Sequence, residues 1–128
     1  MEKEIALSRL TPDYAAELLV GCETLDPTGL TEARDLPALT HTGQCFSASS
    51  GDSQAVYVLR LKNGVAWIEA CKGAGLVPWS DLLFPVIEAQ AKGCHAVAFQ
   101  TKSRGLVRRA KRQGYTVTGW ILKKELHA

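Results

Sequence analysis

The residues with the most to offer chemically fall in one stretch, 65–83. Val65-Ala-Trp-Ile-Glu-Ala-Cys71 carries a carboxylate at Glu69 and a thiol at Cys71, and Lys72-Gly73-Ala74-Gly75 follows directly. A run of β-formers, a glycine-rich turn and then an apolar helix predict a strand–loop–helix unit. Such a unit aims backbone N–H groups and a helix N-terminus at whatever sits in the loop, which suits a phosphate or another anion. Glu69, on the strand before the loop, is the best-placed carboxylate for general-base work. Its plainer reading is a solvent-facing strand residue, and Gly-x-Gly after a strand is often only a turn.

The second concentration of chemistry is charge. The chain of 128 residues has a formal net charge of +2. Residues 101–128 hold eight basic groups against one acidic, a net of +7, while residues 1–100 hold seven against twelve, a net of −5. Arg104, Arg108, Lys111 and Arg112 share one face of a predicted helix, a pattern that can neutralise phosphates. A solvated helix face is the ordinary meaning of such a run. No aromatic residues interleave with these cations, so stacking on single-stranded bases is not expected.

Other chemistries are disfavoured. Cysteines 22, 45, 71 and 94 form no Cys-x-x-Cys pair, and histidines 41, 95 and 127 do not bracket them at zinc-like spacing, so no metal site is expected. Four reduced, partly buried thiols are the expectation. Cys71 has no histidine at supporting spacing, which argues against covalent catalysis. No apolar run nears the ~20 residues that span a bilayer, and no secretory signal opens the chain, so a cytoplasmic protein without membrane contact is expected.

These residues must be carried by a scaffold, and its outline is legible. The length suits one domain, residues 1–128, with a real core. Residues 4–9 alternate loosely, as a short edge strand would. Thr11-Pro12-Asp13 is a helix start, with Thr as N-cap and Pro at the first helical position, and Gly21 can close that helix. Between Cys22 and Gly43 the expectation is a second, shorter helix and then an irregular connection, with Pro37 as an interruption. Residues 44–49, 55–61 and 65–71 read as strands, and Asn63-Gly64 is a hairpin turn, so the first half ends in an antiparallel meander. Leu82, Leu83, Val86, Ile87 and Ala91 then predict a helix capped by Ser80 or Asp81, with Pro85 near its first turn. Residues 95–100 predict a short strand buried on both faces. A basic helix over 103–114 and a final strand over 115–126 complete the order. The fold class is α/β: a mostly antiparallel mixed sheet, one parallel β–α–β step, and helices on both faces.

With this order in place, the chain resembles the GCN5-related N-acetyltransferase (GNAT) superfamily over most of its length. Residues 5–15, with Arg9 and Thr11-Pro12-Asp13, are similar to that family's first strand and helix. Gly73-Ala74-Gly75 falls where the family carries its Arg/Gln-x-x-Gly-x-Gly/Ala loop, and the Arg/Gln position falls on Ala70. Ala89-Gln-Ala-Lys-Gly93-Cys94 resembles the end of the family's central helix, and Arg112-Gln-Gly114-Tyr115 its turn into the last strand. The family's frequent general-acid tyrosine falls on Ala110, and its asparagine at the start of that helix on Ser103. The resemblance implies an acyl-CoA-dependent N-acetyltransferase with Glu69 as base, acting on an amine. It implies an acetyl-CoA or coenzyme A site formed by Cys71, Lys72, Gly73, Ala74, Gly75, Ser103 and Arg108. It also implies an alternative, since small members of phage and prophage type include some without catalysis. That alternative is a GNAT-like binding protein contacting nucleic acid or a protein partner through basic helix 102–112.

Overall fold

A computed structural model describes residues 5–20, 36–75, 78–101, 103–120, 122–124 and 126. Strand β1 (Ala6–Arg9) leads into α1 (Pro12–Leu18), where Thr11 caps the helix by accepting from the Tyr14 N–H and Pro12 occupies the first turn. The expected helix before Pro37 and the Gly21 cap lie outside the described residues. Where an irregular connection was expected, α2 (Leu36–Thr42) forms, with Pro37 in its first turn. Proline there loses no helical hydrogen bond, so it opens this helix rather than interrupting one.

The meander follows as β2 (Gln44–Ser50), β3 (Ser53–Lys62) and β4 (Val65–Ala74). Asn63 and Gly64 take φ of 53° and 75°, the left-handed pair that a two-residue hairpin needs. Helix α3 (Trp79–Gln90), β5 (Ala96–Ala98) and α4 (Arg104–Arg112) complete the order. The sheet runs β1-β2-β3-β4-β5, antiparallel except for the parallel β4–β5 pair. Among the described residues no helix is long and apolar enough to cross a membrane.

β3 is the hinge of the packing, because its alternation serves two cores. Val56 and Val58 join Ala15, Leu19, Cys45 and Ala70 in one core, with Leu18 and Leu39 of α1 and α2 packed against it. Ala55, Tyr57 and Leu59 join Ala48 and the α3 residues Trp79, Leu83 and Ile87 in the other. Each large apolar side chain so buried contributes about 1.5–3 kcal/mol. The layering of helix, sheet and helix comes directly from this period-two pattern.

Four expectations are corrected. β4 runs on through Gly73 and Ala74, which pair with Ala55 and Gln54, so most of the glycine stretch is strand rather than loop. Neither Ser80 nor Asp81 caps α3: the helix starts at Trp79 with Pro78 at the cap and no side-chain cap bond, and Pro85 lies inside it. β5 is not buried on both faces, since Ala96 is exposed and Val97 and Ala98 are half-buried at an edge. No strand forms at 115–120 or 122–124, where Tyr115–Leu126 pairing was expected; alternation alone cannot make a strand without a ladder partner.

Candidate functional site

The site begins where β4 and β5 part. Val65, Ala66 and Trp67 pair with Ala96, Val97 and Ala98, and β5 ends there. β4 continues for residues 68–74, paired with β3 on one side and, among the described residues, with no strand on the other. Backbone N–H and C=O groups along such an edge can receive an extended ligand as a strand would be received.

Glu69 sits just past the parting point. Leu59 pairs with Ile68 and Val58 with Ala70, so Glu69 is the extra residue of a β-bulge. A bulge re-aims the side chain it carries and breaks the regular ladder. Glu69 is half-buried there. Cys71 is exposed and pairs with Tyr57, whose buried hydroxyl donates to Gln90 Oε1 at 2.6 Å. Desolvation by burial, ahead of the Gln90 bond that opposes it and the Cys71 thiol that adds to it, pushes the Tyr57 hydroxyl up to about 12. Lys72 is turned away from any loop anion, because its Nζ donates to the Val20 carbonyl at 2.9 Å.

Both glycines have packing reasons. The Trp79 ring lies over Gly73, so that a Cβ there would meet Trp79 Cδ1 at 2.7 Å, and Trp79 Nε1 donates to the Ala74 carbonyl at 3.0 Å. Gly75, at φ +104°, crosses Ser53, whose Cα would lie 2.8 Å from an added Cβ. Trp79, the first residue of α3, therefore locks the end of β4 to the start of that helix. Trp79 is the residue that sequence reasoning missed, and a tryptophan beside a glycine-rich stretch was its signal.

The other half of the region is aromatic and basic. Phe84, Phe99 and Tyr115 pack as a tilted cluster at centroid distances of 4.7–5.9 Å, and Tyr115 donates to Glu88 Oε2 at 2.9 Å. Burial, reinforced by the Glu88 carboxylate, raises the Tyr115 hydroxyl above its ordinary range. Ser103 caps α4 by accepting from the Leu106 N–H at 3.1 Å. Arg108 is exposed on that helix, and none of Arg104, Arg108, Arg109, Lys111 or Arg112 pairs with a carboxylate among the described residues. The buried Nε of Arg109 has no hydrogen-bond partner among them either. Cys45 is buried, and desolvation raises its thiol although Arg9 opposes the shift. Among the described residues no group of three or more His, Cys, Asp or Glu is placed to hold a metal.

A mostly antiparallel five-stranded sheet with one parallel pair, and helices packed on it, is the GNAT-like fold. The chain is similar over 98% of its length, and 99% of the other chain, to the structure of AAC(6')-Iy in complex with the bisubstrate analog CoA-S-monomethyl-acetylneamine, with a TM-score of 0.51 and 16% identity. No protein-family model matches the sequence, and comparison with curated proteins finds no relative.

Proposed function

We propose that the chain is an acyl-CoA-dependent N-acyltransferase that moves an acetyl group from acetyl-CoA to an amine in the cytoplasm. The observation that carries this reading is the parting of β4 from β5 beside a bulged carboxylate. An extended pantetheine arm carries amide groups that the open β4 edge can bind, which brings a thioester toward Glu69. Glu69 then takes a proton from the ammonium of the acceptor, and the freed amine attacks the thioester carbonyl. The attacking nitrogen would give up its remaining extra proton to the departing sulfur as the C–S bond breaks and the amide forms, so coenzyme A would leave as the free thiol. Cys71, Lys72, Gly73 and Ala74 lie along this edge of β4, with Gly75 directly after it, and Ser103 and Arg108 come from the cap and body of α4. The similarity to a fold that holds a CoA bisubstrate analog supports the same cofactor class here.

The test is a thermal-shift titration with acetyl-CoA and free coenzyme A. A ligand at a hundred times its Kd adds about 2.7 kcal/mol, a rise in Tm on the order of 10 °C for a chain of this size. A flat midpoint at millimolar ligand refutes the cofactor site.

A second reading has its own observation: five α4 cations without a carboxylate partner among the described residues. These would suit a catalytically silent, phage-type relative that grips nucleic-acid phosphates through Arg104, Arg108, Lys111 and Arg112.

A further inference from the structure

Asn63 is the chain's only asparagine, and a glycine follows it. An asparagine amide is electrophilic at Cγ, and the next backbone nitrogen can close a ring on that carbon. A side chain on the next residue crowds the closure, and Gly64 brings none. The pair forms the turn between β3 and β4, at φ of 53° and 75°, with both residues exposed. Among the described residues no partner holds the Asn63 side-chain amide, and the Gly64 N–H donates to nothing. Electrophile and nucleophile are thus both unengaged, at a sheet end where local opening costs least.

His95 supplies the rest. It directly precedes β5, and its N–H donates to the Gly64 carbonyl at 2.9 Å. Its ring lies against the turn: Nε2 is 3.3 Å from the Asn63 carbonyl oxygen, and a Cβ added at Gly64 would meet Cδ2 at 2.8 Å. A carbonyl oxygen only accepts, so Nε2 carries the hydrogen in this contact. That carbonyl and the Gly64 nitrogen belong to one resonant peptide unit. Donation to the oxygen draws electron density from the nitrogen and stabilises the anion left when its proton departs.

We propose that Asn63 is a site of self-modification, where the Gly64 nitrogen closes on the side-chain amide with help from His95. The Gly64 N–H gives its proton to water, and the nitrogen bonds to Asn63 Cγ. The bond from Cγ to the side-chain nitrogen breaks, and that nitrogen takes up a proton and leaves as ammonia. Water then opens the succinimide at either carbonyl, leaving aspartate or isoaspartate at position 63. Isoaspartate routes the main chain through an added methylene, in a tight hairpin turn with no length to spare. Lys62 pairs with Val65 across this turn, and Val65 pairs with Ala96 on its other side. The product therefore loosens the corner where β3, β4 and β5 meet. The reaction needs no coenzyme and stands apart from the acyltransferase reading.

The test is to incubate the folded chain at mildly alkaline pH and follow its mass. The mass should rise by the exchange of an amide for an acid, and peptide mapping should find aspartate and isoaspartate at 63. In folded His95→Ala, checked by circular dichroism, the rate should drop about 5-fold, the equivalent of one hydrogen bond. Folded His95→Gln, whose side-chain N–H can also donate, should fall between the two. In urea all three chains should react at one rate, because the contact is gone. If His95 only pins the turn to β5, its loss frees the turn and speeds the reaction, which overturns the proposal. An Asn63 that stays intact in the folded wild type overturns it too, as do folded variants that react as fast as the wild type.

Discussion

The side-chain amide of Gln113 donates to the Asp81 carbonyl at 3.0 Å, and that carbonyl is the one Pro85 deprives of its helical partner. Proline has no N–H to return to the residue four positions earlier, so α3 carries a gap at Asp81. Gln113 is the C-cap residue of α4, and the bond ties the end of one helix to the flaw in the other. A double-mutant cycle tests the compensation. Gln113→Ala should cost about 0.5–1 kcal/mol in the wild type, because the bond is exposed and water can replace part of it. In a Pro85→Ala background, where the residue 85 N–H can reach Asp81, the same change should cost close to nothing. Equal costs in both backgrounds would sink the account.

Trp79 makes Gly73 obligatory. Gly73→Ala must push a buried indole that is also held by its bond to the Ala74 carbonyl, and should cost about 1–3 kcal/mol in urea unfolding. Gly93→Ala is the control, because nothing lies within 4 Å of the added methyl and the change should be nearly neutral. A neutral Gly73→Ala would show that Trp79 does not seat there. This matters for function too: weaker ligand binding in a Gly73 or Gly75 variant reports a disturbed β4–α3 junction before it reports a role for the glycine at the ligand.

Alkaline stability should be set by Tyr57. Its pKa in the folded chain is raised from the ordinary 10.0 to about 12, so the folded state prefers the protonated hydroxyl. The resulting stability is fully present below pH 10 and is lost as pH climbs toward 12, a decline on the order of 2 kcal/mol. Tyr115, raised in the same direction, adds to the decline. Urea unfolding at pH 9, 10 and 11 should show falling stability in the wild type and a flatter trend in Tyr57→Phe. An unchanged slope in that variant would remove Tyr57 as the cause.

The scaffold was readable because its signals are local. Thr11-Pro12 starts a helix by satisfying first-turn donors, and Asn63-Gly64 turns a hairpin by tolerating positive φ, whatever surrounds them. What escaped depends on pairing. Glycine at 73 reads as a breaker, yet Ala55 and Gln54 across the ladder hold Gly73 and Ala74 in β4. The bulge at Glu69 exists only as a register mismatch with Val58 and Leu59, which no inspection of residues 65–71 could disclose. The last strand failed for the converse reason: Val117, Trp120 and Leu122 have the right composition but, among the described residues, no strand to pair with.

If Glu69 is the base, Glu69→Gln keeps the shape and hydrogen-bonding reach of the side chain and removes its basicity. The expected result is a kcat lower by roughly 10²–10⁴-fold with little change in the KM for acetyl-CoA. A merely structural Glu69 would instead move stability or KM and leave kcat nearly unchanged.

The α4 cations separate the two functional readings. If they grip nucleic acid, the affinity falls linearly on a log–log plot against salt, and Arg108→Glu lowers the magnitude of the slope by about one unit for each phosphate it ceases to neutralise. That variant should leave the fold intact, since Arg108 is exposed and pairs with no carboxylate among the described residues. If the cations serve coenzyme A instead, the same Arg108→Glu should shrink the coenzyme A-induced rise in Tm, while duplex DNA and RNA bind weakly to both proteins.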